Sequence, residues 1–504
     1  MTKTWKKVIA FAMAAAMVVP VLASCGGGGG IAIDKENPEV QIMTKAFQAE
    51  SAAADSPVME ALEEVIGTKL NMTWSPSTSY DEKVTTAMGS GTYPHAMLVG
   101  ARSSSVIQAA RNDIFWDLTD VFEEGSKYTN LAQANPIVNH NISIDGKIFG
   151  IYRARELGRA GVSIRKDWLE NLGLEIPKTV DDFYNVLKAF TEQDPDGNGQ
   201  NDTYGMIVTN YLDGPLNNLA IWMGAPNSWG IDENGELAPA FMFDEYMDAL
   251  KLFRQMYEEK LINSDMATYS SDKWNEQFLS GQAGVIVDVA DRARRLAQNM
   301  EDQSTVDVFG YVTKDASTEP RTLPTTGYDG YYVLPKPAVS EEDLDFVLDV
   351  MDKLNGEEAV NLMNYGIEGR NYELDEEGYV VKKDDAELVK EYADLNQLSM
   401  GIVSYENGLK TRYTAPVAAK IDEVYAENKL YTVSNPAEPY VSSTYSKKGP
   451  QLDSIIAEAK TKFIVGQIDE AAFLAEVERW KTMGGADVIK EMNEAYQADD
   501  SVEK

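Results

Sequence analysis

Residues 165–205 read RKDWLENLGLEIPKTVDDFYNVLKAFTEQDPDGNGQNDTYG and end in an acidic loop. Oxygen-bearing side chains occupy positions 1, 3, 5 and 9 of this loop, and a glycine occupies position 6. An EF-hand calcium loop has this spacing, because alternating oxygens converge on the ion only where the chain turns sharply at the glycine. The Glu of position 12 is absent, since Gly205 stands there. The pattern predicts either a calcium site or a polar turn without metal, formed by Asp194, Asp196, Asn198 and Asp202.

A helix is predicted to lead into this loop. Thr179 is a suitable N-cap, and Asp181 and Asp182 lie in the first turn, where the helix dipole favours negative charge. Apolar side chains then recur at helical spacing: Val180, Phe183, Val186, Leu187 and Phe190. The segment therefore predicts a packed helix that carries the loop at its carboxyl end.

The composition describes a large and acidic protein. A chain of 504 residues exceeds one ordinary core and predicts two domains. Hydrophobic residues make up 44% of the chain and aromatic residues 10%, which is typical of folded proteins. Lys and Arg number 45 against 81 Asp and Glu, which gives a formal net charge of −36. This charge repels phosphate backbones, and we expect no nucleic-acid partner.

The N-terminus has the pattern of a targeting segment. Three lysines precede an apolar stretch over residues 8–21, which predicts a signal peptide at residues 1–24. The stretch ends in Leu22-Ala23-Ser24-Cys25, which resembles the lipobox of bacterial lipoproteins, and Cys25 is the only cysteine. With a glycine-rich tether over residues 25–37, we expect a lipid-anchored protein on the extracytoplasmic face of the cell membrane. The alternative is an ordinary cleaved signal peptide with an incidental cysteine.

Strand and helix patterns alternate at the start of the mature chain. Strands are predicted at 39–43, 70–74 and 96–99, and the helix between the last two begins with a capping box at Ser79. This alternation predicts parallel pairing in an α/β lobe, whose ligand lies at the carboxyl ends of the strands. A second α/β lobe is predicted from about residue 162, after a hairpin turn at Asp145-Gly146.

Several sequence blocks resemble the extracellular solute-binding proteins of ABC importers, in particular the large lipoprotein branch associated with oligosaccharide uptake. The blocks are Lys166-Asp167-Trp168-Leu169, Leu172-Gly173-Leu174, Pro177-Lys178-Thr179, the loop at 194–202, Ser280-Gly281-Gln282-Ala283-Gly284, Gly366-Ile367-Glu368-Gly369 with Tyr372, and Phe463-Ile464-Val465-Gly466. The resemblance implies an α/β fold of two lobes, each a sheet flanked by helices, with a ligand cleft between them. Because the chain would cross the hinge more than once, we expect lobe one at 38–157 plus 325–375 and lobe two at 158–324 plus 376–504.

The resemblance also implies a structural calcium ion. Proteins of this branch that bind alginate oligosaccharides carry calcium in a loop similar to this one. The implied ligands here are Asp194, Asp196, Asn198, the carbonyl of Gln200, and Asp202. In those proteins the following residue is another acidic ligand, whereas here it is Thr203, which removes one charge from the expected site.

A sugar ligand would be held by aromatic faces that stack on its rings and by planar polar groups that pair with its hydroxyls. Residues of these types fall in loops and crossovers that we expect to face the cleft. They are Tyr93, His95, Tyr152, Arg153, Arg155, Trp222, Trp229, Tyr328, Asp329, Tyr331, Arg370 and Tyr372. Many relatives have Asp where His95 stands. For each aromatic residue the alternative is packing in a core, and for each arginine a surface ion pair.

The sequence has few residues typical of catalysis. Its two histidines, His95 and His140, are far apart and accompany no GxSxG or HExxH motif. We therefore expect no enzyme, but a monomer that captures a sugar or oligosaccharide by lobe closure and delivers it to ABC permease subunits. Three alternatives stay open: a binding protein for peptides or other small solutes, an extracytoplasmic glycoside hydrolase with an unidentified carboxylate pair, and a surface adhesion protein.

Overall fold

The computed structural model of the chain describes residues 33–100, 103–402, 408–413 and 415–499. The predicted signal peptide and Cys25 lie outside these residues. Among the helices that are described, none is long and apolar enough to cross a membrane.

The strands follow the chain in this order: β1 (Glu39–Ala46), β2 (Lys69–Pro76), β3 (Ala96–Val99), β4 (Gly150–Ala154), β5 (Ala160–Arg165), β6 (Tyr204–Met206), β7 (Trp229–Ile231), β8 (Leu237–Pro239), β9 (Ala283–Val289), β10 (Val306–Phe309), β11 (Tyr328–Val333), β12 (Tyr372–Leu374) and β13 (Val380–Lys382). The α-helices are α1 (Pro57–Ile66), α2 (Tyr80–Ser90), α3 (Ser104–Arg111), α4 (Pro136–Ile142), α5 (Lys166–Leu172), α6 (Val180–Glu192), α7 (Asp213–Trp222), α8 (Asp244–Glu258), α9 (Trp274–Leu279), α10 (Arg292–Ala297), α11 (Glu341–Lys353), α12 (Glu357–Tyr365), α13 (Ala386–Lys390), α14 (Val417–Leu430), α15 (Ser443–Ile464), α16 (Glu470–Trp480) and α17 (Ala486–Ala498).

The first lobe is built on a five-stranded sheet in the order β2-β1-β3-β11-β4. β1 pairs in parallel with β2 and β3, which confirms the predicted parallel pairing. β11 pairs antiparallel with both β3 and β4, so that Tyr331 lies opposite Val99 and Tyr328 opposite Ala154. The carboxyl ends of β3 and β4 therefore lie at the same edge of the sheet, where the chain leaves for the second lobe.

The second lobe is built on a four-stranded sheet in the order β10-β5-β9-β6. β5 pairs antiparallel with β9 and β10, and β6 pairs in parallel with β9. Ala160, where the chain enters this lobe, lies opposite Val289 at the end of β9. Both sheets therefore turn the carboxyl ends of parallel strands toward the other lobe, as expected of a ligand cleft.

Separate hydrophobic cores hold the two lobes. The first core surrounds the five-stranded sheet and includes β1, β3 and β11 side chains. In the second lobe, one cluster packs α6, α8 and α15 against the sheet, and another covers the sheet with α10 and α14. Each sheet is thus flanked by helices, and the predicted two-lobe α/β fold class is confirmed.

Three chain segments meet between the lobes. The N–H of Arg155 donates to the carbonyl of Gly327 at 2.9 Å, and the N–H of Thr325 donates to the carbonyl of Leu157 at 3.0 Å. The N–H of Ala154 donates to the carbonyl of Met400 at 2.6 Å. These backbone contacts identify the hinge as a bundle of crossing segments, in agreement with the expectation that the chain crosses more than once.

The packing differs from the expected lobe bounds at the third crossing. Tyr392 and Met400 belong to the first core. The carboxylate of Asp394 accepts hydrogen bonds from the N–H groups of Phe47 and Gln48 at 3.0 and 3.2 Å. The expected boundary at residue 375 assigned this segment to lobe two, whereas these contacts favour lobe one up to Met400. The other bounds stay a prediction.

Two local predictions are confirmed only in part. The turn at Asp145-Gly146 forms, because Ile144 and Lys147 exchange backbone hydrogen bonds across it at 2.8 and 3.1 Å, but the expected strand before it does not. Residues before Asp145-Gly146 form α4 and not a hairpin strand, because Pro136 follows an N-cap at Asn135, whose side chain accepts from the N–H of Ile137 at 2.9 Å. Only a single bridge, between Ile144 and Lys147, spans the turn among the described residues. α2 starts after Ser79 as predicted, but within the described structure the Ser79 side chain makes no capping hydrogen bond.

Candidate ligand-binding site

A cavity of about 530 Å³ lies between the lobes. Ile107 of α3 and Tyr328 of β11 line it from the first lobe, and α15 with the loops around it lines it from the second. Its volume falls within the range of roughly 300–1,000 Å³ that is usual for small-molecule sites.

One face of α15 forms the polar wall of this cavity. Tyr445, Asp453 and Lys460 recur at spacings close to whole helical turns, so that all three face the same side. The Tyr445 hydroxyl donates to the Asp453 carboxylate at 2.8 Å, and burial raises the pKa of Asp453. The ammonium of Lys460, which is only 8% exposed, is in direct contact with the carboxylate of Asp213.

Glu491 of α17 fixes the start of α15. Its carboxylate accepts hydrogen bonds from the hydroxyls of Ser442, Ser443 and Thr444 at 2.5, 3.2 and 2.7 Å, and from the N–H of Thr444 at 2.9 Å. Burial alone would raise the pKa of Glu491, but these hydrogen bonds outweigh burial and lower the pKa to about 2. The carboxylate therefore stays ionised and positions the turn that carries Tyr445.

Aromatic side chains also line the cavity. Those from the second lobe are Trp229, Phe241, Tyr440, Tyr445 and Trp480. The rings of Phe241 and Trp480 meet edge to face with centroids 5.2 Å apart, which holds both in place. Aromatic faces beside carboxylates can stack on sugar rings while the carboxylates accept from sugar hydroxyls.

A second cavity, of about 790 Å³, adjoins the first, since Tyr440 and Val441 line both. Lobe one contributes the segment from Arg111 to Ile148, which includes His140. The Arg111 guanidinium pairs with both carboxylate oxygens of Asp145, at 2.8 and 2.9 Å. The cleft therefore extends beyond the first cavity along the boundary of the two lobes.

The structure brings four of the proposed ligand residues to the cleft and the hinge. Trp229 and Tyr328 line the first cavity from opposite lobes. Arg155 and Asp329 form an ion pair at 2.6 Å beside the hinge, with side chains 40% and 39% exposed. Whether any of the four contacts a ligand stays a prediction.

Four other proposed residues are buried inside the lobes: His95, Tyr152, Trp222 and Tyr331. The Nδ1 atom of His95 accepts from the N–H of Gln41 at 3.0 Å, and burial lowers the pKa of His95. The Tyr152 hydroxyl accepts from the N–H of Asn135 at 2.7 Å, and Trp222 packs edge to face on Phe183. None of the four is among the described residues that line the interlobe cavity, so core packing accounts for their positions.

The remaining four lie elsewhere in lobe one. Tyr93 is half-buried against the first core, and Arg153 donates to the Gln397 side chain at 2.8 Å. Arg370 forms a surface ion pair with Glu391 at 2.6 Å. Tyr372 is buried edge to face with Tyr365 and borders a groove on the outer surface. For Arg370 the structure therefore favours the surface ion pair over a cleft contact.

Sequence reasoning missed most of the aromatic wall, namely Phe241, Tyr440, Tyr445 and Trp480. The polar and aromatic stripe along α15 was visible in the sequence. Its position opposite the other lobe was not, because helical periodicity identifies a face but not its partner.

The acidic loop after α6 brings several of the predicted calcium ligands together. The Asn198 amide nitrogen donates to Asp196 at 2.9 Å and to Asp202 at 3.2 Å, and so occupies a position between two carboxylates that would suit a cation. One Asp194 oxygen accepts from the N–H of Gly199 at 2.9 Å, while the other is buried without a hydrogen-bond partner among the described residues. A cation would satisfy this oxygen, because a buried carboxylate oxygen without a partner is costly.

The loop is not a cluster of carboxylates alone. In the part of the chain that the structure describes, no group of three or more His, Cys, Asp or Glu side chains could hold a metal ion. Any ion here would therefore depend on the amide and carbonyl oxygens of the loop as well as on its aspartates, as Ca²⁺ sites commonly do.

Two sheet-based lobes, a hinge of crossing segments and an aromatic cavity between the lobes define a two-lobe ligand-binding protein. The family model of the bacterial extracellular solute-binding protein matches residues 46–360. The chain belongs to this family, which agrees with the expectation of a binding protein and not an enzyme.

Named proteins with similar sequences support this assignment. The chain is 42% identical over 468 residues to "Lipoprotein LipO" of Bacillus subtilis, covering 91% of this chain and 92% of that protein. It is 32% identical over 485 residues to the "Polygalacturonan/rhamnogalacturonan-binding protein YtcQ" of Bacillus subtilis, covering 95% and 96%. A solved structure of the Streptococcus pneumoniae ABC-transporter substrate-binding protein FusA, an EF-hand mutant in complex with fructo-nystose, has the same fold. Its TM-score is 0.65 at 17% identity, and the match covers 91% of this chain and 99% of FusA.

Proposed function

We propose that this protein captures a sugar or oligosaccharide in the interlobe cavity and delivers it to the permease of an ABC transporter. The observation that carries the proposal is the cavity wall, to which one lobe contributes Trp229 and the other contributes Tyr328. Such a wall offers stacking surfaces for sugar rings beside the carboxylate of Asp453. The names of YtcQ and of the FusA complex, which refer to saccharide ligands, support the same ligand class.

Closure of the lobes would couple binding to delivery. A ligand that touches both lobes binds the closed state more tightly than the open state and therefore shifts the population toward closure. Gly327, with a φ of +83°, lies in the second hinge segment and adopts a backbone conformation that other residues rarely take. The permease would then recognise the closed, loaded form.

Calorimetric titration of the purified protein with a panel of neutral and acidic oligosaccharides tests the proposal. We expect at least one saccharide to bind and to reduce the radius of gyration in small-angle X-ray scattering. A panel without any binder, or binding of peptides alone, would refute the saccharide assignment. Release of reducing ends from a bound oligosaccharide would instead indicate a hydrolase.

The proposal includes anchoring to the extracytoplasmic face of the cell membrane through a lipid on Cys25. The lipobox-like sequence around Cys25 and the lipoprotein name of LipO support it. Mass spectrometry of the N-terminal peptide from membranes should detect a diacylglyceryl cysteine. A Cys25→Ser variant should lose the modification, and an unmodified peptide from the native protein would contradict the anchor. We expect the anchored protein to act as a monomer.

A structural calcium ion in the loop at 194–202 forms the last part of the proposal. Asp194, Asp196, Asn198, the Gln200 carbonyl and Asp202 would hold it, and the unpaired buried oxygen of Asp194 supports this assignment. The ion would tie the end of α6 to β6 and so stiffen the second lobe. The EF-hand named in the FusA structure gives independent support.

A further inference from the structure

We infer that the ligand of this cleft is an oligosaccharide without carboxylates and not one built from uronic acids, in contrast to the polygalacturonan in the name of the relative YtcQ. The inference rests on the proposed function, because it concerns the chemistry of the same interlobe cavity. Three observations carry it: the charges along the two cavities, the pairing of their cations, and the aromatic wall beside the carboxylates.

Carboxylates outnumber cations in both cavities. Along the described wall of the first cavity, Asp213, Glu438 and Asp453 face one cation, Lys460. A cleft with low-dielectric walls and one predominant sign of charge concentrates ligands of the other sign and excludes ligands of its own sign. The first cavity therefore disfavours a ligand that carries a carboxylate on every sugar ring.

The second cavity repeats this arrangement. Its described wall carries Glu123, Asp145 and Asp499 against one cation, Arg111. The Tyr440 hydroxyl, which borders both cavities, donates to Asp499 at 2.9 Å. A longer ligand that reached from the first cavity into the second would meet the same excess of negative charge.

The two cations are already neutralised. Lys460 is buried against Asp213, and Arg111 makes a two-point ion pair with Asp145. Neither of these two cations is unpaired, so a uronate would have to be held by hydrogen-bond donors of the wall alone, beside the negative charges already there. To pair with a uronate, Lys460 would have to break its ion pair with Asp213. The charge of Asp213 would then have lost its cation at the cavity wall.

The carboxylates suit the hydroxyls of a neutral sugar. Each ionised carboxylate accepts several hydrogen bonds and can take a pair from neighbouring hydroxyls. Asp453 has one bond from Tyr445, which leaves acceptor capacity toward the cavity that Trp229 also lines. A neutral ring can therefore stack and donate at the same place, whereas a uronate would bring its charge against that of Asp453.

Matched ligands test the inference on the full mature protein. Each neutral oligosaccharide of the panel is compared by calorimetric titration with the same compound after oxidation of its primary hydroxyls to carboxylates. We expect oxidation to weaken binding by at least about tenfold, with a smaller difference when salt is raised from about 0.02 M to about 0.5 M. Equal or tighter binding of the oxidised partner would overturn the inference. Failure of every saccharide would instead refute the proposed function itself.

Substitutions distinguish the effect of the charges in the cavities from the effect of the net negative charge of the whole protein. Asp453→Asn should weaken the neutral ligand by about tenfold, because it removes a charged acceptor, and should reduce the discrimination against the oxidised ligand. Glu438→Gln, which keeps the shape of a second wall residue, should also reduce that discrimination. Glu376→Gln removes one exposed charge away from both cavities and should change neither quantity. Unchanged discrimination in both cavity variants would overturn the inference.

Discussion

Glu491 offers the sharpest test of how the cleft is held in place. Its carboxylate accepts four hydrogen bonds from Ser442, Ser443 and Thr444 at the start of α15, the helix that carries the polar wall of the cavity. The change Glu491→Gln keeps the side-chain length but removes the charge. It also removes one carboxylate oxygen, and each of the two oxygens accepts two of the four hydrogen bonds. We expect it to destabilise the second lobe and to loosen the turn before Tyr445.

The magnitude follows from the pKa of Glu491. A lowering from 4.5 to about 2 corresponds to an upper limit of roughly 3 kcal/mol of folding free energy. Because Glu491 is partly exposed, solvent screening reduces this to about 1–2 kcal/mol. For a domain of this size such a loss lowers the melting temperature by about 2–6 °C.

The pH dependence has a defined sign. The folded pKa of Glu491 lies below the unfolded value of 4.5, so its stabilisation is fully present above pH 4.5 and is lost as the pH falls through about 2. The free energies of unfolding in urea of the wild type and of Glu491→Gln should therefore differ most near pH 7 and converge toward pH 2.

A matched control is Glu494→Gln on the same helix. The ion pair of Glu494 with Lys490 spans 3.7 Å between highly exposed side chains. The Glu494→Gln control should lower the free energy of unfolding by less than about 0.5 kcal/mol. An equal effect of both variants, or a difference that does not depend on pH, would refute the reasoning.

Three further predictions concern the core, the hinge side and the acidic loop. Trp222→Ala should destabilise the protein by about 3–5 kcal/mol in urea unfolding, because the ring is fully packed. Trp229→Ala should destabilise it less, because that ring is only half-buried, and should weaken saccharide binding about tenfold. Asp291→Asn should lower the free energy of unfolding by about 3 kcal/mol. The reason is that ion pairs with Arg159 and Arg295 outweigh the burial of Asp291 and hold its pKa at about 2. A loss below about 1 kcal/mol would contradict this. Chelation with EDTA should lower the melting temperature of the wild type but not of Asp194→Ala; no effect on the wild type would mean that the loop holds no structural calcium.

Local sequence patterns predicted three strands of the first sheet because strand and helix periodicities are short-range signals. β1, β2 and β3 appear within a few residues of their predicted bounds. The position of β11 between β3 and β4 could not come from such patterns. This pairing joins segments more than 170 residues apart, and it was anticipated only through the family resemblance, which assigned residues 325–375 to lobe one.

The candidate site was less predictable. Trp222 and Trp229 are seven residues apart and of the same type, yet Trp222 ends α7 inside a core and Trp229 begins β7 at the cavity. The difference depends on tertiary packing, which a list of aromatic residues does not contain. Tyr440, Tyr445 and Trp480 were overlooked for the complementary reason: they lie in a helical region whose partner across the cleft is distant in sequence.

The third hinge crossing illustrates the same limit. The stretch from Tyr392 to Met400 carries no pattern that favours one lobe, and its assignment is decided by hydrogen bonds from Phe47 and Gln48 to Asp394. Such contacts depend on residues about 350 positions away. Sequence boundaries between lobes are therefore least secure where the chain recrosses the hinge.

A crystal structure of the protein with a saccharide identified by titration tests the central claim most directly. We predict sugar rings in the cavity between the lobes, stacked on Trp229 from one side and contacting Tyr328 from the other, with hydroxyls donating to Asp453. A saccharide bound on the outer surface of either lobe, with the interlobe cavity left to solvent, would contradict the account.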